Sequence, residues 1–72
     1  MECKYRMRKD EIADEEGVLH TVYGVEAWRR GEMVRCIPDV FFKKERAEHY
    51  IGLFNKLELR LIHLDDVIEE IL

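Results

Sequence analysis

Leu57-Glu58-Leu59-Arg60-Leu61-Ile62-His63-Leu64-Asp65-Asp66-Val67-Ile68-Glu69-Glu70-Ile71-Leu72 is the stretch whose reading decides the fold. Glu58 to Ile62 reads as an extended link, His63 as an N-cap, and the rest as a two-turn amphipathic helix whose apolar stripe is Leu64, Val67, Ile68, Ile71 and Leu72. Asp65 and Asp66 fall in its first turn, where carboxylates favour the positive end of the helix, so His63 and Asp66 are the expected capping residues. Isolated helices shorter than about 12 residues are marginal in water. This one must dock on something, and the stripe says which side faces it.

Working back from the terminal helix, a period of 3.6 extends upstream to about Lys43. Ala47, Tyr50, Ile51, Phe54 and Leu57 share a face, while Lys44, Glu45, Glu48 and Lys56 point outward. Gly52 interrupts that helix, which leaves two readings: close approach to another backbone, or a glycine with no structural role. Before Lys43 the period is two. Cys3, Tyr5 and Met7 alternate with Lys4, Arg6 and Arg8 in a first strand over residues 3–9, and the acidic run from Asp10 to Gly17 reads as a connection. A second strand from Val18 to about Trp28 puts Leu19, Thr21, Tyr23, Val25 and Ala27 on one face, and His20, Val22, Gly24, Glu26 and Trp28 on the other. Arg29-Arg30-Gly31-Glu32 reads as a hairpin turn, and a third strand spans Met33 to Ile37, ended by Pro38. The expected fold is α+β, a single domain over residues 1–72. It is a three-stranded antiparallel meander followed by two helices packed on one face (β-β-β-α-α).

At 72 residues the chain buries only about 60–65% of its unfolded surface, so its stability margin is thin. Cys3 and Cys36 fall on strands one and three, two strand spacings or about 9.5 Å apart, too far for a disulfide. The charged start, Met1-Glu2-Cys3-Lys4-Tyr5-Arg6, lacks the apolar core of a secretion signal, and no apolar run reaches the roughly 18 residues of a membrane span. These features imply a cytoplasmic chain with reduced thiols and no membrane contact. Twelve basic against sixteen acidic residues, net −4, is the reverse of the basic excess typical of a dedicated nucleic-acid binder.

Part of the chain resembles a family of short bacterial domains known only as a domain of unknown function. The resemblance rests on Gly17 followed by His20-Thr21-Val22-Tyr23-Gly24-Val25. It is more specific over Phe54-Asn55-Lys56-Leu57-Glu58-Leu59 and Ile62-His63-Leu64-Asp65-Asp66-Val67-Ile68-Glu69. It departs from the family where helix one begins, with Val40-Phe41-Phe42-Lys43 in place of Ser, Thr or Asp. The resemblance implies a fold and a bacterial cytosolic setting, and supplies no activity, cofactor or catalytic residue.

The residues themselves point away from catalysis. There is no serine, no Gly-rich phosphate loop and no nucleophile elbow. His20, His49 and His63 lack metal-ligand spacing, and the cysteines form no Cys-x-x-Cys pair, so no metal site and no cofactor are expected. What stands out is a surface. Lys4, Arg6 and Arg8 line the outer face of strand one, and Arg35 with Arg29 and Arg30 would join them beside Trp28 and His20. Val18, Val22, Trp28, Met33 and Ile37 add apolar surface on the same register, which a bulge at Gly24 or Pro38 would slip by one residue to send that set inward, and Phe41 and Phe42 stand at its edge. The first reading is a non-enzymatic module that binds a larger protein or pairs with itself as a homodimer. The alternative is a small nucleic-acid-binding regulator that uses the basic outer face.

Overall fold

The computed structural model describes residues 3–72. Three strands, β1 (Lys4–Ala13), β2 (Leu19–Arg29) and β3 (Glu32–Phe41), are followed by helix α1 (Lys44–Lys56), a 3₁₀ turn (Leu61–His63) and helix α2 (Leu64–Ile71). The sheet is antiparallel in the order β1-β2-β3, as the meander requires. The α+β class and the order of elements match the sequence expectation.

The strand alternation is as read from the sequence on β1 and β2. Tyr5 pairs with Ala27 and Met7 with Val25, and these side chains meet the helices. Ala47, Ile51 and Phe54 from α1, with Leu64 and Ile68 from α2, complete the core. Tyr5 meets Phe54 edge to face, with ring centroids 5.7 Å apart, and Phe41 stacks on Tyr50 at the same distance. The β2–β3 turn takes positive φ at both Arg30 (53°) and Gly31 (79°), the conformation whose twist matches a two-residue hairpin.

Several expectations are corrected. β1 continues through the acidic residues to Ala13 because its pairing with β2 runs unbroken from Lys4↔Trp28 to Ala13↔Leu19. The distal part of this hairpin extends beyond the core, and every residue from Glu11 to His20 is exposed. β3 does not end at Pro38 but passes it in a bulge: Pro38, Asp39 and Val40 lie opposite the single Gly24, between the pairs Val25↔Ile37 and Tyr23↔Phe41. Gly24 is what permits this. A Cβ there would strike the Ile37 carbonyl oxygen and come within 2.8 Å of Pro38 Cα. A second irregularity, between Ala27 and Trp28, turns Ile37 inward onto the core instead of outward.

Around α1, Gly52 approaches nothing, since a Cβ there would meet no atom within 4 Å. The helix ends in a Schellman-type arrangement, with Leu59 N–H donating to Phe54 C=O (2.9 Å) and Glu58 N–H to Asn55 C=O (3.2 Å). Glu58 therefore sits in left-handed backbone (φ 52°). The expected extended link is replaced by this turn and the 3₁₀ turn. Because the 3₁₀ turn delivers His63 already helical (φ −97°, ψ −4°), its side chain makes no capping hydrogen bond; Asp66 is exposed in the first turn of α2. Leu57, Ile62 and Leu72 are also exposed, whereas Leu59 and Leu61 pack against the core. Cys3 and Cys36 are both free.

Candidate interaction surface

The helices cover one face of the sheet, and the opposite, outer face carries the residues singled out from the sequence. Cross-strand pairing sets Lys4 beside Trp28, Arg6 beside Glu26, Arg8 beside Gly24, Asp10 beside Val22 and Ile12 beside His20. Near the β2–β3 turn, the Arg6 guanidinium lies 4.9 Å from the Trp28 ring centroid, and Lys4 and Arg30 line the same shallow hollow. Trp28 Nε1 donates to Glu26 at 2.9 Å, which fixes the indole in its half-buried position.

Arg8 is not a free cation. Gly24 opposite it has no side chain, so the guanidinium lies across β2: Nε donates to Asp10 at 2.7 Å, and Nη1 stands 3.6 Å from Glu26 and 3.5 Å from Cys36 Sγ. The hydrogen bond to Asp10 is the main cause of an Arg8 pKa raised above its ordinary value. His20 is likewise committed, with Nε2 2.8 Å from Asp14 Oδ2. That contact, followed by backbone N–H donation from Val18 and Glu16, holds the Asp14 carboxyl below its ordinary pKa and ties down the β1–β2 turn.

The structure separates the expected surface into two parts and removes several residues from it. Arg35 pairs with Ala27, so it lies on the helix side and forms an ion pair with Asp65 of α2. Phe41 is 3% exposed in the core, while its neighbour Phe42 is 79% exposed. Val22 is 1% exposed although it alternates outward, and it is the only buried apolar residue outside the core cluster among those described. It lies in a groove at the far end of the sheet, lined also by Ile12, His20 and Phe42. Leu19 and Val18 are exposed on the same hairpin arm. One end of the outer face is therefore basic and aromatic (Lys4, Arg6, Trp28, Arg30), the other is apolar (Ile12, Val22, Phe42), and Arg8, Asp10 and Glu26 balance one another between them.

Asn55, the only asparagine in the chain, was not legible as a site residue. Its Oδ1 accepts from Tyr5 N–H at 2.8 Å and its Nδ2 donates to Tyr5 C=O at 2.9 Å, so one side-chain amide occupies the place of a neighbouring strand at the free edge of β1. Tyr5 is held from a second direction, its hydroxyl donating to Leu59 C=O at 2.7 Å. The only signal in the sequence was a lone Asn in the last turn of an otherwise charged or apolar helix.

Among the described residues, no group of three His, Cys, Asp or Glu side chains is placed to hold a metal ion, and no helix is long and apolar enough to cross a membrane. Comparison with protein-family models, with curated proteins and with solved structures returned no match.

Proposed function

We propose that this chain is a non-enzymatic interaction module that works by self-association through the part of its sheet that the helices leave uncovered. One observation carries the reading: the helices cover the core end of the sheet and leave the hairpin arm bare, with Ile12, Val18 and Leu19 exposed on it and Phe42, just past the end of β3, exposed in the groove it shares with Ile12. Grouped apolar side chains of this kind mark interaction sites more often than isolated ones do, and a 72-residue chain with two free cysteines gains most from a partner. Two-fold pairing is the commonest arrangement of soluble oligomers. The bacterial, cytoplasmic setting implied by the family resemblance belongs to the same proposal. Light scattering on the purified chain at tens of micromolar should report twice the chain mass. A mass of one chain throughout a concentration series overturns the reading.

The second reading, binding of single-stranded nucleic acid, draws on the Arg6–Trp28 stack with Lys4 and Arg30 beside it. It is the weaker of the two because Arg8 and Arg35 are already spent on Asp10 and Asp65. Trp28 is the only tryptophan, so oligonucleotide titration at low salt can be followed by its fluorescence. Binding that weakens steeply with added salt supports this reading; unchanged fluorescence and mobility remove it.

A further inference from the structure

The two edges of the sheet differ. β3 is broken by the irregularity opposite Trp28, by Pro38, which has no N–H, and by Asp39 in left-handed backbone (φ 57°). It offers no straight template. β1 is regular along its whole length. In an antiparallel strand the N–H and C=O of one residue point to the same side, and successive residues alternate. Asn55 takes both groups of Tyr5 from outside the sheet, and Asp14 N–H bonds across the hairpin to Val18 C=O at 3.0 Å. Odd-numbered residues of β1 therefore face outward and even-numbered ones face β2. Beyond Tyr5, the outward groups of Met7, Lys9, Glu11 and Ala13 have no hydrogen-bond partner among the described residues.

This open stretch is self-complementary in charge. Lys4, Arg6, Arg8 and Lys9 lie on one half of β1, Asp10 and Glu11 on the other, with Asp14, Glu15 and Glu16 in the turn that follows. Parallel pairing with a second copy sets like charge against like, whereas antiparallel pairing sets opposite against opposite. The Asn55 clamp also limits the register, because a second strand cannot pass Met7 without displacing the amide from Tyr5. Using all of Met7 to Ala13 centres the two-fold axis on Asp10. Met7 then stands opposite Ala13 of the second copy and Lys9 opposite Glu11 of the second copy. The two Asp10 carboxylates meet at the axis, each already hydrogen-bonded to its own Arg8.

We propose that two copies of this chain join antiparallel through the Met7–Ala13 edge of β1 into one continuous sheet, with Asn55 marking where the join stops. The inference rests on the self-association reading and names its contact. Lys9→Pro tests it: the substitution removes an outward N–H and puts a ring on the joining edge, while the ladder to β2 is untouched. Wild type should give the two-chain mass and Lys9→Pro the one-chain mass, with the same circular dichroism. A second set does not depend on proline. Lys9→Glu and Glu11→Lys should each weaken the dimer about tenfold, and the double exchange should restore it. Amide exchange reads the same geometry, since the amides of Met7, Lys9 and Glu11 should gain protection on going from dilute to concentrated protein. A wild-type dimer unaffected by Lys9→Pro, or a double exchange that fails to restore pairing, overturns the β1 join and leaves self-association standing. A wild type that stays at one chain overturns both.

Discussion

Removing the Asn55 amide is the sharpest test of how this fold secures its first strand. The side chain makes two hydrogen bonds to the Tyr5 backbone, at 2.8 and 2.9 Å. A typical hydrogen bond contributes about 0.5–1.5 kcal/mol net, so Asn55→Ala, which loses both, should cost about 1–3 kcal/mol. The hollow lined by Lys4, Tyr5, Asn55 and Glu58 lets water reach the freed groups, which favours the lower half of that range. Asn55→Asp keeps the acceptor for Tyr5 N–H and loses the donor to Tyr5 C=O, so at neutral pH it should fall between wild type and the alanine variant. For a domain of this size each kcal/mol moves the melting temperature by roughly 4–8 °C. Thermal unfolding followed by circular dichroism at one protein concentration should therefore rank wild type above Asp above Ala. An alanine variant that melts with wild type would refute the claim that the amide acts as a substitute strand.

Gly52→Ala should raise stability by about 1 kcal/mol, because the position is mid-helix and a Cβ meets nothing there; chemical denaturation measures the gain. Glu58→Gly should also stabilise, by about 1 kcal/mol, since a side chain in left-handed backbone is strained and glycine is not. Ile68→Ala, at a position 5% exposed and buried beside Leu64, should cost about 2–4 kcal/mol, a large share of a small domain's stability. Burial, then the nearby Cys3, raises the Tyr5 pKa above 10.0, against a lowering by Arg29. The neutral phenol is thus favoured in the folded state, and its contribution is complete below pH 10 and lost as pH rises through the folded value. Wild type should lose stability above pH 10 more steeply than Tyr5→Phe, as read from urea midpoints across that range.

What was legible in the sequence was what repeats locally. Alternation gave the faces of β1 and β2, and the 3.6 period gave α1 and the Leu64–Ile68 contact of α2, because each signal lies within one element. What was missed depends on partners distant in the chain. Pro38 read as a strand end, with a bulge at it or at Gly24 as the alternative, and only the pairing across the sheet decides that the strand bulges past Pro38 opposite Gly24. The irregularity at Ala27 and Trp28 decides that Ile37 faces the core and that Arg35 meets Asp65, and no local pattern marks it. Asp10 to Ala13 read as a loop on composition, yet pairing with β2 overrides the weak strand preference of the acidic residues. Asn55 acts on a residue fifty positions away.

The edges of the sheet and the small size of the chain pose the same physical problem. A three-stranded sheet has two edges for a single covering layer of helices, and an unpaired edge invites other strands. On β3 the backbone itself is broken, by a bulge, a proline and a left-handed aspartate, so a straight partner cannot follow it. On β1 the protection is local: Asn55 closes Tyr5, and past that point the strand runs straight, paired on one side only. Same-sign charges along such an edge would repel a second copy. Here the sign reverses at Asp10, in the middle of the open segment, so the charges that deter most registers favour one antiparallel register. In the proposed join, the place where the helices stop covering the sheet is thus also the place where one copy meets the next.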